Sequence, residues 1–125
     1  MREILFRGRD IAHNWHYGVP LIFTEDYVCM TAPHTYNKAV QPETVGQFTG
    51  LTDRNGKRIF EGDILDCGDR IVRVSWHEMC GTWDCNFVRY KGKLCSNGIT
   101  PVEWKYRAEI IGNIHDNPEL LEVTQ

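Results

Sequence analysis

Four soft-ligand side chains crowd one stretch of this chain, in the order His77-x2-Cys80-x4-Cys85-x9-Cys95. Thiolates and imidazole are the donors zinc prefers, but a structural site normally carries a tight C-x2-C knuckle, which this spacing lacks. Small apolar fillers of strands and turns are the simpler role for these cysteines. The full set is Cys29, Cys67, Cys80, Cys85 and Cys95. An odd number without an export signal suits a reducing compartment better than a disulfide framework. No metal and no cofactor is expected.

Acid–base chemistry has a second candidate in Asp53, Glu61 and Asp63, since carboxylates this close could bind Mg²⁺ or share a proton. Asp53 heads Asp53-Arg54-Asn55-Gly56-Lys57, where an Asp binds its own backbone and Asn-Gly supplies positive φ. Glu61-Gly62-Asp63 also reads as a turn, so structural duty is the expectation for all three. His77 with Cys80 resembles a nucleophilic dyad but has no nucleophile elbow or oxyanion-hole motif beside it. His13-x2-His16 has the spacing of a helix face in a segment that reads as strand or loop. In His115-Asp116 the acid is placed to cap a following helical turn. A non-catalytic protein is therefore expected.

Aromatic rings are the other resource: Trp15, Trp76, Trp83 and Trp104, with Tyr17, Tyr90 and Tyr106. Flat rings on an exposed surface recognise peptides or stack on bases. Trp76 falls at an inward position of an alternating strand and is assigned to the core with Ile64, Val72 and Val74. Trp83, in the irregular stretch Cys80-Gly81-Thr82-Trp83-Asp84, Tyr90 and Trp104 are the candidate binding rings.

The elements that must position these groups are strands, because hydrophobic periodicity of two dominates. Ile71 to Trp76 alternates cleanly and should form a hairpin with Gly62 to Leu65 across the turn at 66–70. Phe87 to Tyr90 and Leu94 flank the turn 91–93. Ala108 to Ile114 reads as a strand in which Gly112 marks a bulge or a close approach. Pro118 suits the first position of a terminal helical turn. Earlier in the chain, Ile4 to Phe6, Tyr17 to Phe23 and Tyr27 to Met30 are strand-like, the last two as a pair, and 31–42 reads as a loop.

Composition limits the classes. The chain has 125 residues, 11% of them aromatic, which is too many rings for a disordered chain. A net charge of −3 argues against a nucleic-acid coating protein, although nine of the fourteen basic residues are Arg. No apolar run reaches the ~18 residues of a membrane helix. No membrane association is expected, and a cytoplasmic setting is.

The segment Glu43 to Ile64 carries a denser signature. It reads Thr44-Val45-Gly46-Gln47-Phe48-Thr49-Gly50-Leu51, then Asp53, Asn55-Gly56 and Ile59-Phe60-Glu61-Gly62-Asp63-Ile64. This closely resembles the signature of the YopX family of phage and prophage proteins. Phe6-Arg7-Gly8 with Trp15-His16-Tyr17-Gly18 resembles the family's start, and Glu109 to Leu121 its close. Residues 77–105 carry the least of its character. The resemblance implies a phage or prophage origin, a bacterial cytoplasm and a mainly β fold. In that fold a β-rich N-terminal region, 1–50, precedes a small SH3-like antiparallel barrel with a terminal helical turn, 51–125. It implies no mechanism.

Within the signature, Gly46, Gly50, Gly56 and Gly62 read as backbone punctuation. Gln47, Thr49, Asp53, Asn55, Glu61 and Asp63 are expected to bond internally in a segment joining the two regions. The functional expectation is a protein-binding or adaptor module with an unnamed protein partner. The alternative is a nucleic-acid-associated factor of phage replication or regulation, and self-association stays open.

Overall fold

The computed structural model describes residues 4–31, 37–68, 70–77, 82–90, 93–95 and 104–121. The chain divides into two compact units, Met1–Phe48 and Thr49–Gln125. The division falls inside the strand β5 (Gly46–Thr52).

In the first unit, β1 (Phe6–Arg9) turns back through Asp10–Asn14 into the long β2 (Trp15–Phe23). A second hairpin leads from β2 to β3 (Val28–Thr31), which pairs with β4 (Lys38–Val40). All the pairings are antiparallel, and β5 lies on the free side of β1, with Phe6 opposite Gln47 and Arg7 opposite Gly46. The core is small: Val28, Met30 and Val40 are buried together, with Phe6 and Val45 packed against them. After β4 the chain returns to β1, where Gln41 N–H donates to the Arg9 carbonyl and Arg9 N–H donates to the Thr44 hydroxyl. That return brings Val40 over Gly8, so tightly that a Cβ on Gly8 would lie 2.5 Å from Val40 Cγ2. Only glycine leaves room there.

In the second unit β5 pairs with β6 (Arg58–Phe60), and β7 (Asp63–Asp66), β8 (Arg70–His77) and β9 (Thr82–Tyr90) form a meander. At its two edges lie β10 (Lys93–Cys95), on β9, and β11 (Glu109–Asn113), on β7. A single helical turn, α1 (Trp104–Arg107), precedes β11, and a 3-10 turn, Pro118–Leu121, follows it. The alternation expected for β8 holds at its centre, where Val72 and Val74 are buried with Ile59, Leu65, Cys67, Trp83, Trp104 and Ala108. Gly112 meets both parts of its expectation: the β11–β7 register shifts between Ile110 and Gly112, and a Cβ at Gly112 would strike the Asn117 side chain.

Several expectations need correction. The protein is mainly β with two antiparallel sheets, but among the described residues no closed barrel forms; the order β10-β9-β8-β7-β11 is open. The stretch 31–42 is not all loop: β4 forms within it, and Pro42–Thr44 adds a 3-10 turn. The first strand begins at Phe6 rather than Ile4. Thr82 to Asp84, read as irregular, belongs to β9, because cross-strand pairing to Ser75, Trp76 and His77 overrides a weak local pattern.

Candidate functional site

The candidate rings do not gather into a surface. Trp104 is 0% exposed and Trp83 6% exposed, so both fill the core of the second unit and neither presents a face to a ligand. Large rings are the cheapest way for a small unit to bury apolar area, and that use has claimed these two. Trp76 is the reverse case, being 44% exposed where a buried residue was expected. It sits directly across from Trp83 near the end of β8, and the two rings meet edge to face with centroids 5.0 Å apart. Tyr90, Cys80 and the side chains of His77, Cys85 and Cys95 lie outside the described side chains. Among the described residues no three His, Cys, Asp or Glu side chains come together as a metal site. No helix among them is long and apolar enough to cross a membrane.

The signature segment places its acids inside turns. Asp53 is buried; its Oδ1 accepts the N–H groups of Asn55 and Lys57, each at 2.9 Å. Its Oδ2 accepts Ile110 N–H on β11 at 3.0 Å. Asp63, also buried, accepts Phe60 N–H at 2.7 Å and closes the turn carrying Glu61 and Gly62. The Thr49 hydroxyl donates to the Ile59 carbonyl at 2.8 Å, while Gln47 and Glu61 are half-buried and Asn55 is exposed. Gly56 and Gly62 have the positive φ angles, +79° and +89°, that turns demand of glycine. Gly46 does not; it lies buried in β5 opposite Arg7, a strand position rather than a turn.

What the first unit does present among its described residues is a row of exposed apolar side chains on β2. Tyr17, Val19 and Leu21 alternate on the face opposite the Val28–Met30–Val40 core. The β2–β3 register then shifts between Pro20 and Ile22, so Ile22 falls on that same face, since Val19 pairs with Thr31 and Ile22 with Cys29. Leu21 is 57%, Ile22 54% and Phe23 69% exposed; Tyr17, Val19 and Tyr27 are exposed as well. Between them runs the turn Thr24–Tyr27, pinned by Thr24 N–H and Oγ1 donating to the Tyr27 carbonyl and by Tyr27 N–H donating back to Thr24 Oγ1. Glu25 and Asp26 project from it into solvent. From Asp10 to Asn37 the sequence carries no Lys or Arg. Sequence reading found this strand but gave it no role, because a row of apolar residues looks the same whether or not something covers it.

At the other end of β2 a polar cluster fixes the approach. Asp10 Oδ1 accepts the N–H groups of Ala12 and Asn14, and Oδ2 lies 2.8 Å from His16 Nε2. The bond from His16, helped by the N–H of Asn14, holds the Asp10 carboxyl below the usual carboxylate range, against a small opposing effect of burial. The buried Arg7 guanidinium stacks over the Trp15 ring, 4.8 Å from its centroid.

The described residues thus form two open antiparallel sheets, with Thr49, Asp53 and Asp63 of the signature buried and an apolar row exposed on β2. The chain belongs to the YopX family: the family model described as YopX protein matches residues 10–122. It is similar to the crystal structure of protein EF1440 from Enterococcus faecalis, at 25% identity and a TM-score of 0.60, over 98% of this chain and 100% of that one. No curated protein matches it.

Proposed function

We infer that this YopX protein is a non-catalytic protein-binding module and that the exposed side of β2 is its docking surface. The observation that carries this reading is the run Tyr17, Val19, Leu21 and Ile22, all exposed on one face of a single strand. Scattered apolar residues are normal on a surface, whereas a contiguous row is what an interaction site requires. The reading takes its setting, a phage or prophage protein in a bacterial cytoplasm, from the family resemblance. It takes the β7–β9 meander with β11 as an open variant of an SH3-like barrel. The stretch Asp10 to Asn37 carries no Lys or Arg and Arg7, opposite Tyr17, is buried, which favours a protein partner over nucleic acid, because phosphate contacts need accessible basic side chains.

Site-specific photocross-linking tests it. A benzophenone side chain at Tyr17 should trap a discrete partner in bacterial cells producing the full chain, and the same group at the exposed turn residue Asn55 should not. Equal trapping at both positions, or none at Tyr17, overturns the reading.

A further inference from the structure

We propose that the second unit carries a separate binding surface for single-stranded nucleic acid, where the β5–β6 turn meets the helical turn α1. Tyr106 stacks on a base there, and Lys57 and Lys105 hold phosphates. The proposal goes beyond the protein-binding reading and does not depend on it, since β2 belongs to the first unit.

Three observations carry it. First, the cations are concentrated. From Thr49 onward the chain holds ten Lys and Arg residues, and five of them, Arg54, Lys57, Arg58, Lys105 and Arg107, fall in the stretches 54–58 and 104–107. All five are exposed. Second, the fold brings the two stretches together. Arg54 N–H donates at 2.9 Å to the carbonyl of Ala108, the residue directly after α1, and Asp53 N–H donates at 2.9 Å to the Lys57 carbonyl across the turn. Asp53 and Glu109, the acids of this junction, are occupied: the first is buried on backbone N–H groups and the second pairs with Arg54. Third, Tyr106 is 75% exposed between Lys105 and Arg107, while Trp104, at the start of the same turn, is buried in the core. Trp104 anchors α1 and the three residues after it are turned outward. A flat ring between cations suits a base whose neighbouring phosphates are held at the same time. An acidic peptide would meet the cations but leave the ring nothing to stack on, and a duplex keeps its base faces stacked on one another. A single strand offers both groups. The net charge of −3 confines the contact to a few phosphates.

The probe is a fluorescent single-stranded DNA of about 12 mixed-sequence nucleotides, read by anisotropy on the full chain across a salt series. Affinity should fall as salt rises. The double variant Lys57→Gln/Lys105→Gln should flatten the log–log salt slope by about 1.4, the loss of two phosphate contacts on a single strand. Tyr106→Ala should weaken binding about tenfold, while Tyr106→Phe, which keeps a stacking ring, should bind as the parent does. Lys38→Gln, an exposed change in the first unit, should alter neither affinity nor slope. Every side chain changed is exposed, so the melting temperatures should match the parent's. Absence of binding at low salt, an unchanged slope in the lysine variant or full affinity in Tyr106→Ala overturns the proposal. Equal affinity for a polyglutamate peptide overturns it by assigning the patch to acidic protein. Equal affinity for the matching duplex, indifferent to Tyr106→Ala, overturns it by reducing the contact to backbone charge.

Discussion

The carboxylate of Asp53 crosses 57 residues of sequence to hold the backbone N–H of Ile110 at 3.0 Å. With its other oxygen on Asn55 and Lys57 N–H, one side chain closes the β5–β6 turn and pins β11 beside it. Arg54 reinforces the same junction, its N–H donating to the Ala108 carbonyl and its guanidinium pairing with Glu109. That ion pair is solvent-exposed on both sides and adds little by itself. The buried carboxylate is what matters here.

Asp53→Ala should therefore lower stability by about 2–4 kcal/mol, because three backbone donors lose one shared charged acceptor. Asp53→Asn makes a sharper test. Its carbonyl oxygen can keep Asn55 and Lys57, but its NH₂ then confronts the Ile110 N–H, donor against donor. About 1–2 kcal/mol should be lost, with amide exchange rising first at Ile110. Chemical denaturation with residue-resolved exchange checks both, and an unchanged Ile110 amide would refute the assignment.

Gly8→Ala should cost about 1–3 kcal/mol, since the new methyl would overlap Val40 Cγ2 and Cβ and press on Met30 Sδ. The double variant Gly8→Ala/Val40→Ala should recover part of that loss by returning space to the same contact. A thermal melt of both single variants and the double against the parent decides it; additive losses would show that Gly8 is constrained by something other than Val40.

β8 was legible because its buried residues alternate, so the Ile71–Trp76 pattern marked Val72 and Val74 correctly. β7 is buried on both faces: Ile64, expected beside them, pairs with Arg73 on the opposite face, while Leu65 joins their cluster. Trp76 shares the parity of Val72 and Val74 yet lies near the end of β8, where it meets Trp83 edge to face and stays 44% exposed, and parity carries no information about where a core stops. Trp104 was misjudged for a related reason. It sits in a helix of four residues, too short for any 3.6-residue period to register, and tertiary packing alone buries it. β4 was missed because its three residues owe their conformation to β3, a partner that local sequence cannot show. The turn roles of Asp53, Asn55 and Gly56 were readable since a turn is local; the reach of Asp53 to Ile110 was not.

His13 adopts φ = +68° in the Asp10–Asn14 turn, a left-handed conformation costly for a residue with a Cβ. Its N–H donates to the Asp10 carbonyl, and Asp10 N–H to the Asn14 carbonyl, so the turn holds this conformation in place. His13→Gly should stabilise the protein by about 0.5–1 kcal/mol, net of the extra chain entropy glycine brings to the unfolded state. His13→Val should destabilise it by at least as much. The ring is exposed, so neither change removes a buried contact. Melting temperatures that move in opposite directions would confirm that backbone strain sets the effect.

The same turn should respond to acid in a defined direction. Asp10 titrates below the usual carboxylate range in the folded protein, first because His16 bonds its Oδ2 and then because Asn14 N–H bonds its Oδ1. A depressed folded-state pKa means the unfolded chain binds the proton more readily, so the stabilisation is fully present above about pH 4 and is lost as pH falls through the depressed value. Carbon-13 titration of the Asp10 carboxyl should place its midpoint under the ordinary aspartate value. His16→Ala removes the leading cause and should raise the Asp10 midpoint toward the ordinary aspartate value, while Asp10→Asn should flatten this part of the stability profile at acid pH. If the Asp10 midpoint stays put in His16→Ala, the backbone donors of the turn, rather than the imidazole, set its acidity.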